Sequence, residues 1–136
     1  KIADLTAEWM QKEIQVNSPH SRYFSNILRT YNDRKIDIIA RNAPQLIFAC
    51  ARKLNLTGVS NCEQAWSYAG LYAPTLGLGT TVAGFIQTCG SSGYEPLVEL
   101  LDIPKKQQIV GTLMVGYPKY KYHRLVERQH LKVEFR

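Results

Sequence analysis

Residues 41–51 have the sequence RNAPQLIFACA, in which Pro44 and Gln45 are followed by six consecutive apolar residues. Proline fits the entrance of a strand, because it has no N–H group to donate to a neighbouring strand. A continuous apolar run is typical of a strand that is covered on both faces, since a strand with one solvent-facing side alternates instead. We therefore predict a buried strand at residues 45–51.

The next segment, residues 60–76, has the pattern of a helix. Apolar residues recur at spacings of three and four from Cys62 to Ala73, and further apolar residues fill the other faces. A helix that is apolar nearly all round is expected to be central in a fold. Ser60 and Glu63 have the spacing of a capping box, and Pro74 predicts a kink or a loosened last turn.

The rest of the chain alternates helices with a few strands. Helices are predicted at residues 2–16, 23–31 and 95–101, a second buried strand at 108–116, and an exposed strand at 131–135, while residues 81–89 fit either state. This order predicts an α/β or α+β fold. Two buried strands are few for helices this apolar. We therefore expect a missing segment or a partner subunit to cover the surplus apolar surface.

Length and composition fit one domain, with 136 residues and an apolar fraction of 45%. No run approaches the roughly 20 apolar residues that span a bilayer, so no membrane association is expected. The three cysteines, Cys50, Cys62 and Cys89, are far apart and form no CxxC pair, so no metal site is predicted. We interpret them as small buried side chains of a protein in a reducing cytoplasm.

The net charge of +6 is concentrated at the C-terminal end. Tyrosines and a histidine are interleaved there with the basic residues Lys119, Lys121, Arg124, Arg128, Lys132 and Arg136. Such a tail could bind single-stranded nucleic acid by stacking and phosphate contacts, or a cofactor phosphate through one or two arginines. A solvated basic end remains the plainest alternative.

Motifs for direct catalysis are absent from the sequence. His20, His123 and His130 are scattered, and neither a metalloprotease motif nor a nucleophile elbow occurs. Gly77 and Gly79 follow a helix and lack the spacing of a dinucleotide-binding fingerprint, so by themselves they fit a glycine helix stop. We therefore predict no catalytic side chain, and an enzyme built on this chain would take its reactivity from a bound cofactor.

Three motifs in the same order carry a family resemblance. GLGT at residues 77–80, LDIP at 101–104 and GYPKYKYHR at 116–124 together resemble the nitroreductase family. The likeness runs from Arg41 to Phe135. Each motif alone is weak, and their order along the chain makes the likeness specific.

The resemblance implies an α+β fold, with helices around a small central sheet, and an obligate homodimer that binds FMN at the subunit interface. Electrons from NAD(P)H or another donor would reduce the flavin, which would then reduce a small aromatic acceptor such as a nitroaromatic or a quinone. Residues 1–136 would form one partial domain, with a helical segment at 1–40, a core at 41–118 and a basic extension at 119–136. In such a dimer, the terminal strand 131–135 would wrap the partner subunit.

The resemblance also implies which residues bind FMN. The backbone of four residues would lie along the isoalloxazine ring and donate a hydrogen bond near its N5: Leu76, Gly77, Leu78 and Gly79. Arg128 matches the arginine that binds the FMN phosphate, and Arg124 is a second candidate.

Two flavin-binding motifs of the family have no counterpart here. These are an arginine- and serine-rich phosphate motif and a Pro-Ser-x-x-Asn segment, so we expect the N-terminal part of the fold to be missing from the chain. Two alternatives to a flavin enzyme stay open. One is a degenerate relative that dimerises without binding FMN, and the other is a basic nucleic-acid-binding domain, which the absence of a nucleic-acid motif in residues 41–101 disfavours.

Overall fold

The computed structural model describes residues 1–120 and 129–135. These residues form an α+β fold, as predicted. In chain order the elements are α1 (Ile2–Gln15), α2 (Ser21–Arg34), β1 (Gln45–Arg52), α3 (Gly58–Tyr72), β2 (Gly79–Val82), α4 (Gly84–Ser91), α5 (Glu95–Leu100) and β3 (Gln107–Gly116). The sequence of residues 81–89 fitted either a helix or a strand; in the structure the first of these residues end β2 and most of the others belong to α4.

The sheet is antiparallel, with the strand order β1-β3-β2. The central strand β3 is mostly buried, which confirms the strand predicted at 108–116. β1 forms where it was predicted, but it lies at an edge of the sheet, and 45% of Ile47 is exposed. The expectation that this strand is covered on both faces is therefore wrong for the described chain, because α3 leaves Ile47 uncovered.

The main core lies on one face of the sheet. Met114 of β3 points into it, and α1 meets α2 there through the rings of Trp9 and Phe24, whose centroids are 5.3 Å apart. The buried members of this cluster are Trp9, Met10, Phe24, Leu28, Ile39, Ala83, Ile86, Cys89, Leu97 and Met114. α1 and α4 contact each other within it, so the first and fourth helices are joined through one core.

Helix α3 packs on the opposite face of the sheet. Successive side chains of a strand point to opposite faces, and α3 meets positions 111 and 113 of β3 while the main core meets Met114. Closest approach occurs where Trp66 lies over Gly111. A Cβ at position 111 would be 2.8 Å from the Trp66 ring, so only glycine fits beneath it.

Two expectations for α3 are wrong. It has no buried residue, and Tyr68, Leu71 and Tyr72 are each more than 60% exposed, so it is not a central helix in the described chain. No described element covers its outer face. The helix begins at Gly58 without a side-chain cap, which also excludes the predicted capping box of Ser60 and Glu63.

The C-terminal residues 129–135 have no regular secondary structure. Leu131 and Phe135 are almost fully exposed. The strand predicted at 131–135 is thus not formed within this chain, because the described sheet ends at β1 and β2 and does not include these residues. Across the described ranges, no helix is long and apolar enough to cross a bilayer.

A side-chain hydrogen bond joins α1 to α2: the Tyr31 hydroxyl donates to Asp4 Oδ1 over 2.7 Å. Partial burial, reinforced by the hydrogen bond and the charge of Asp4, raises the pKa of Tyr31 to about 12 from its ordinary value of 10.0. The same hydrogen bond lowers the pKa of Asp4. The pair therefore ties the two helices together at neutral pH.

Tyr31→Phe is expected to lower the free energy of unfolding by about 0.5–1 kcal/mol at pH 7, because an exposed hydrogen bond is lost. Because the folded-state pKa is raised, the contribution of Tyr31 is complete below pH 10.0 and is lost as the pH rises towards about 12. Urea denaturation across this range should show that decline in the native protein and a smaller one in Tyr31→Phe. Tyr23→Phe, at an exposed tyrosine, should behave like the native protein.

Candidate functional site

The end of α3 builds a strip of exposed backbone. The helix continues as a 3₁₀ turn, Ala73–Leu76, with Pro74 near its start, which confirms the loosened end predicted from that proline. Gly77 then adopts a left-handed conformation with φ of 73°. Its N–H donates to the Pro74 carbonyl over 3.0 Å, and the Leu78 N–H donates to the Ala73 carbonyl over 3.1 Å. These two bonds form a Schellman motif, so the glycine helix stop is confirmed.

Residues 76–79 form what we call the backbone strip. Leu76 and Gly77 are exposed, and a Cβ on Gly77 would meet no atom within 4 Å. At the other end, a Cβ on Gly79 would contact Pro118 at 3.6 Å. The strip is thus open to a flat ligand on its outer side. The Gly77 and Leu78 N–H groups already donate to the helix end, so neither of them is free for such a ligand.

A cleft of about 390 Å³ lies beside the strip, and we call it the strip cleft. Three segments line it: residues 41–44, 79–81 and 114–118. Gly116 allows the first and last segments to approach, since a Cβ there would be 3.3 Å from the Pro44 ring. The strip cleft is thereby bounded by β2, by the end of β3 and by the loop that enters β1.

A second cleft, of about 410 Å³, adjoins the first, and we call it the aromatic cleft. Its lining is mainly aromatic and aliphatic, and it shares Arg41 and Met114 with the strip cleft. The lining residues are His20, Tyr23, Phe24, Ile38, Ile39, Arg41, Val82, Gly84, Phe85, Thr88 and Met114. Arg41 and Met114 therefore mark the junction of the two clefts.

The loop that carries Arg41 is held by one carboxylate. Asp37 Oδ1 accepts hydrogen bonds from the N–H groups of Ile39 and Ala40, at 3.1 and 2.8 Å, and Oδ2 accepts one from Asn42 at 3.0 Å. Arg41 and Asn42 both have left-handed backbones, with φ of 53° and 54°. Such a conformation is costly for residues other than glycine, and the three bonds to Asp37 hold it in place.

Asp37→Ala is expected to lower the free energy of unfolding by about 1–2 kcal/mol, because three backbone N–H groups lose a charged acceptor and water replaces it only in part. Chemical denaturation measures the change. Asp33→Ala is the matched control, because the carboxylate of Asp33 is exposed on α2 and makes no hydrogen bond to another described residue. Equal stability of the two variants would show that Asp37 does not hold the loop.

The thiols are not activated. Burial raises the pKa of Cys89 to about 12, and burial also raises the pKa of Cys50 and of Cys62. Cys89 is buried as expected, whereas Cys50 and Cys62 are only half-buried. Among the described residues, no group of three or more His, Cys, Asp or Glu side chains could hold a metal ion. The clefts thus offer shape, aromatic surface and one cation.

Comparison with known protein families decides the assignment. The model of the nitroreductase family matches residues 1–117. The chain belongs to the nitroreductase family. That family is one of flavin-dependent enzymes. A search of the curated proteins finds no match.

Two solved structures resemble this nitroreductase-family chain. A nitroreductase from Bacteroides fragilis with bound FMN superposes with a TM-score of 0.53 at 16% sequence identity, over 93% of this chain and 66% of that one. An iodotyrosine deiodinase bound to FMN and 3-iodo-L-tyrosine gives 0.51 at 15% identity, over 96% of this chain and 72% of that one. At such low sequence identities, the structural likeness shows that the fold is shared. This chain spans about two thirds of the length of the Bacteroides nitroreductase.

Four of the six residues predicted to bind the cofactor lie in the described part of the chain. Leu76, Gly77, Leu78 and Gly79 form the backbone strip, and of these Gly79 lines the strip cleft. Arg124 and Arg128 lie outside the described residues. At Gly77 the outer side of the strip carries no neighbouring atoms, which suits a flat ring.

Arg41 was missed as a site residue by the sequence reasoning. The motif RNAP was interpreted as a strand entrance and as part of the resemblance, while both clefts include Arg41 in their lining. One signal was available. Arg41 lies in the loop that enters a predicted strand, where clefts form, and an aspartate four residues earlier can accept the N–H groups of a tight turn.

Proposed function

We propose that this protein is an FMN-dependent oxidoreductase of the nitroreductase type. It would reduce nitroaromatic, quinone or related acceptors with electrons from NAD(P)H or another donor. The observation that carries the proposal is the open backbone strip beside the strip cleft, in a chain that belongs to a flavin-dependent family.

FMN, when bound, supplies the transfer of electrons, so the role of the chain is to bind the FMN, orient it and shield it from water. In the proposal, residues 76–79 bear the ring, since a surface without side chains lets a flat ligand approach the backbone. Arg128, with Arg124 as the second candidate, holds the phosphate by charge-assisted hydrogen bonds, which the planar guanidinium can make in pairs. The carboxylate of Asp37 fixes the loop at the far side of the strip cleft.

The proposed enzyme is a homodimer with the flavin at its subunit interface. The exposed apolar face of α3, with Tyr68, Leu71 and Tyr72, supports this, because large exposed apolar surfaces of folded proteins usually bind a partner. Leu131 and Phe135 would extend the contact by wrapping the partner subunit. Light scattering after gel filtration should give twice the chain mass, and Leu71→Glu should shift the protein towards the monomer.

The visible spectrum of the purified protein tests the cofactor. Flavin bands that survive gel filtration, or that appear after incubation with FMN and removal of free flavin, support the proposal. Anaerobic addition of NADH or NADPH should then bleach the bands if either is the donor. A colourless dimer that cannot be reconstituted would instead support the alternative of a relative that dimerises without FMN.

Arg128→Ala is expected to weaken FMN binding by about 1.5–3 kcal/mol, because a charge-assisted contact to the phosphate is removed. Fluorescence titration of free FMN gives the dissociation constant. Arg52→Ala is the control, since Arg52 ends β1 and lines neither cleft. Riboflavin lacks the phosphate. If Arg128→Ala weakens riboflavin binding as much as it weakens FMN binding, then Arg128 does not act on the phosphate.

A further inference from the structure

The loop between β1 and α3, residues 53–57, exposes two leucines at the end of the sheet opposite to the backbone strip. We call it the leucine loop. We propose that the leucine loop and the cations around it dock on the surface of an anionic phospholipid bilayer, with Leu54 and Leu56 inserted between the headgroups. The proposal concerns a second surface of the protein, and it holds whether or not the chain binds FMN.

The leucine loop is ordered, and its order keeps the leucines in solvent. The Asn55 N–H donates to the Arg52 carbonyl over 3.2 Å, and Asn55 Oδ1 accepts the Thr57 N–H over 3.2 Å. Leu54 and Leu56, on either side of Asn55, are fully exposed. Because the loop is held by hydrogen bonds and no described residue covers these side chains, their burial has to come from a partner.

Four cations flank the leucine loop, and they come from two neighbouring segments of the chain. Arg52 is paired with Gln107 across the β1–β3 ladder, and the Lys53 N–H donates to the Lys106 carbonyl over 2.9 Å. Lys53 and Lys105 together line a cleft of about 640 Å³. All four basic residues are exposed, and none of them forms an ion pair with another described residue.

Positive charge is in excess at this end of the sheet. Glu95 lines the same cleft as Lys53 and Lys105, and Asp102 precedes Lys105 by three residues, so two carboxylates stand against four cations. Near an anionic bilayer each exposed cation strengthens partitioning by about fivefold. Insertion of each leucine adds roughly 10-fold. Charge and apolar surface are each too weak alone, but together they give stable docking.

The combination of leucines with cations distinguishes a bilayer from other partners. A nucleic acid would use the cations and leave the leucines in water. A second copy of the leucine loop would bring like charges together, which opposes association. A bilayer uses both features, because its headgroups supply negative charge and its acyl region accepts apolar side chains. Docking at the surface needs no spanning helix, so the shortness of the apolar runs has no bearing on it.

The docking surface lies far from both clefts of the candidate site. Gln107, beside the leucine loop, and Gly116, in the lining of the strip cleft, are the two ends of β3, about 30 Å apart. The two leucines and the four cations line neither the strip cleft nor the aromatic cleft. Substitutions in the docking surface therefore test it without altering the candidate site.

Co-sedimentation of the purified protein with vesicles tests the docking. Vesicles of phosphatidylcholine are compared with vesicles in which about a third of the lipid is phosphatidylserine. Partitioning onto the anionic vesicles should be at least about 10-fold stronger, and the difference should shrink at about 0.5 M salt. The double variant Leu54→Ser with Leu56→Ser should weaken it by at least about 10-fold. Val16→Ser, at an exposed apolar residue that ends α1, should leave it within about twofold.

A second pair of variants separates local charge from net charge. Lys53→Gln with Lys106→Gln should weaken partitioning onto the anionic vesicles by about 10- to 25-fold. Arg29→Gln with Arg34→Gln removes the same net charge from exposed positions on α2, and it should have a much smaller effect. Thermal unfolding of each variant shows that it is folded. Equal losses for the two pairs would mean that net charge alone drives the binding, and this would overturn the proposal.

The insertion of the loop has its own readout. The fluorescence of Leu56→Trp should shift to the blue on anionic vesicles and should be quenched by brominated lipid. Absence of both changes would overturn insertion, and so would full binding by the double leucine variant, because the surface would then be an electrostatic patch open to any polyanion. Equal partitioning onto both kinds of vesicle, or onto neither, would also overturn the proposal. None of these measurements depends on bound FMN.

Discussion

Gly111→Val is expected to lower the free energy of unfolding by about 3 kcal/mol or more, because overpacking at this contact has no easy relief. Gly111 lies in the central strand, and a Cβ there would be 2.8 Å from the Trp66 ring. Real side chains do not approach so closely. The Trp66 ring therefore has to move, and with it α3, whose other contacts with the sheet would be disturbed.

Urea denaturation gives the magnitude, and Gly84→Val supplies the control. Gly84 is the first residue of α4, and a Cβ there would meet no atom within 4 Å, so this variant should lose less than about 1 kcal/mol. The double variant Gly111→Val with Trp66→Ala should be more stable than the sum of the single changes predicts, because each relieves the other. Strict additivity would show that the two residues do not compete for space.

Ile86→Ala is expected to cost about 2–5 kcal/mol, since it opens a cavity in the main core. Ile86 is fully buried on α4, where α1, α5 and β3 meet the helix. Ile47→Ala is the matched control, because Ile47 is 45% exposed and its removal should cost less than about 1 kcal/mol. Chemical denaturation of both variants checks the difference. Similar losses would mean that the outer face of β1 carries as much of the stability as the core does.

Local periodicity predicted the elements better than it predicted their surroundings. α1, β1 and β3 lie within one residue of their predicted bounds, because amphipathic spacing and apolar runs act within one element. The predicted burial of α3 was wrong, because burial depends on other elements of the fold. Apolar composition indicates which side chains gain from burial, but the covering element has to exist, and no described element lies over Tyr68, Leu71 or Tyr72.

The same distinction applies to the candidate site: its local features could be predicted from the sequence, whereas those that depend on the packing of several elements could not. The backbone strip could be found in the sequence because glycines at 77 and 79 and a proline at 74 fix a local turn. Arg41 could not, since its importance depends on two clefts that form only when β2, β3 and α2 come together. Its left-handed backbone is equally invisible to periodicity, because arginine ordinarily avoids that conformation and the hydrogen bonds of Asp37 impose it.

The strand order has a consequence for biosynthesis. Among the strands that the structure describes, β3 comes last in sequence and lies between the other two, so neither β1 nor β2 has its described neighbour until residue 116 has left the ribosome. During that interval the apolar run of β1 is unpaired, and such segments are the ones that aggregate or engage chaperones. The nascent protein can form its helices early, but its sheet has to assemble in one late step.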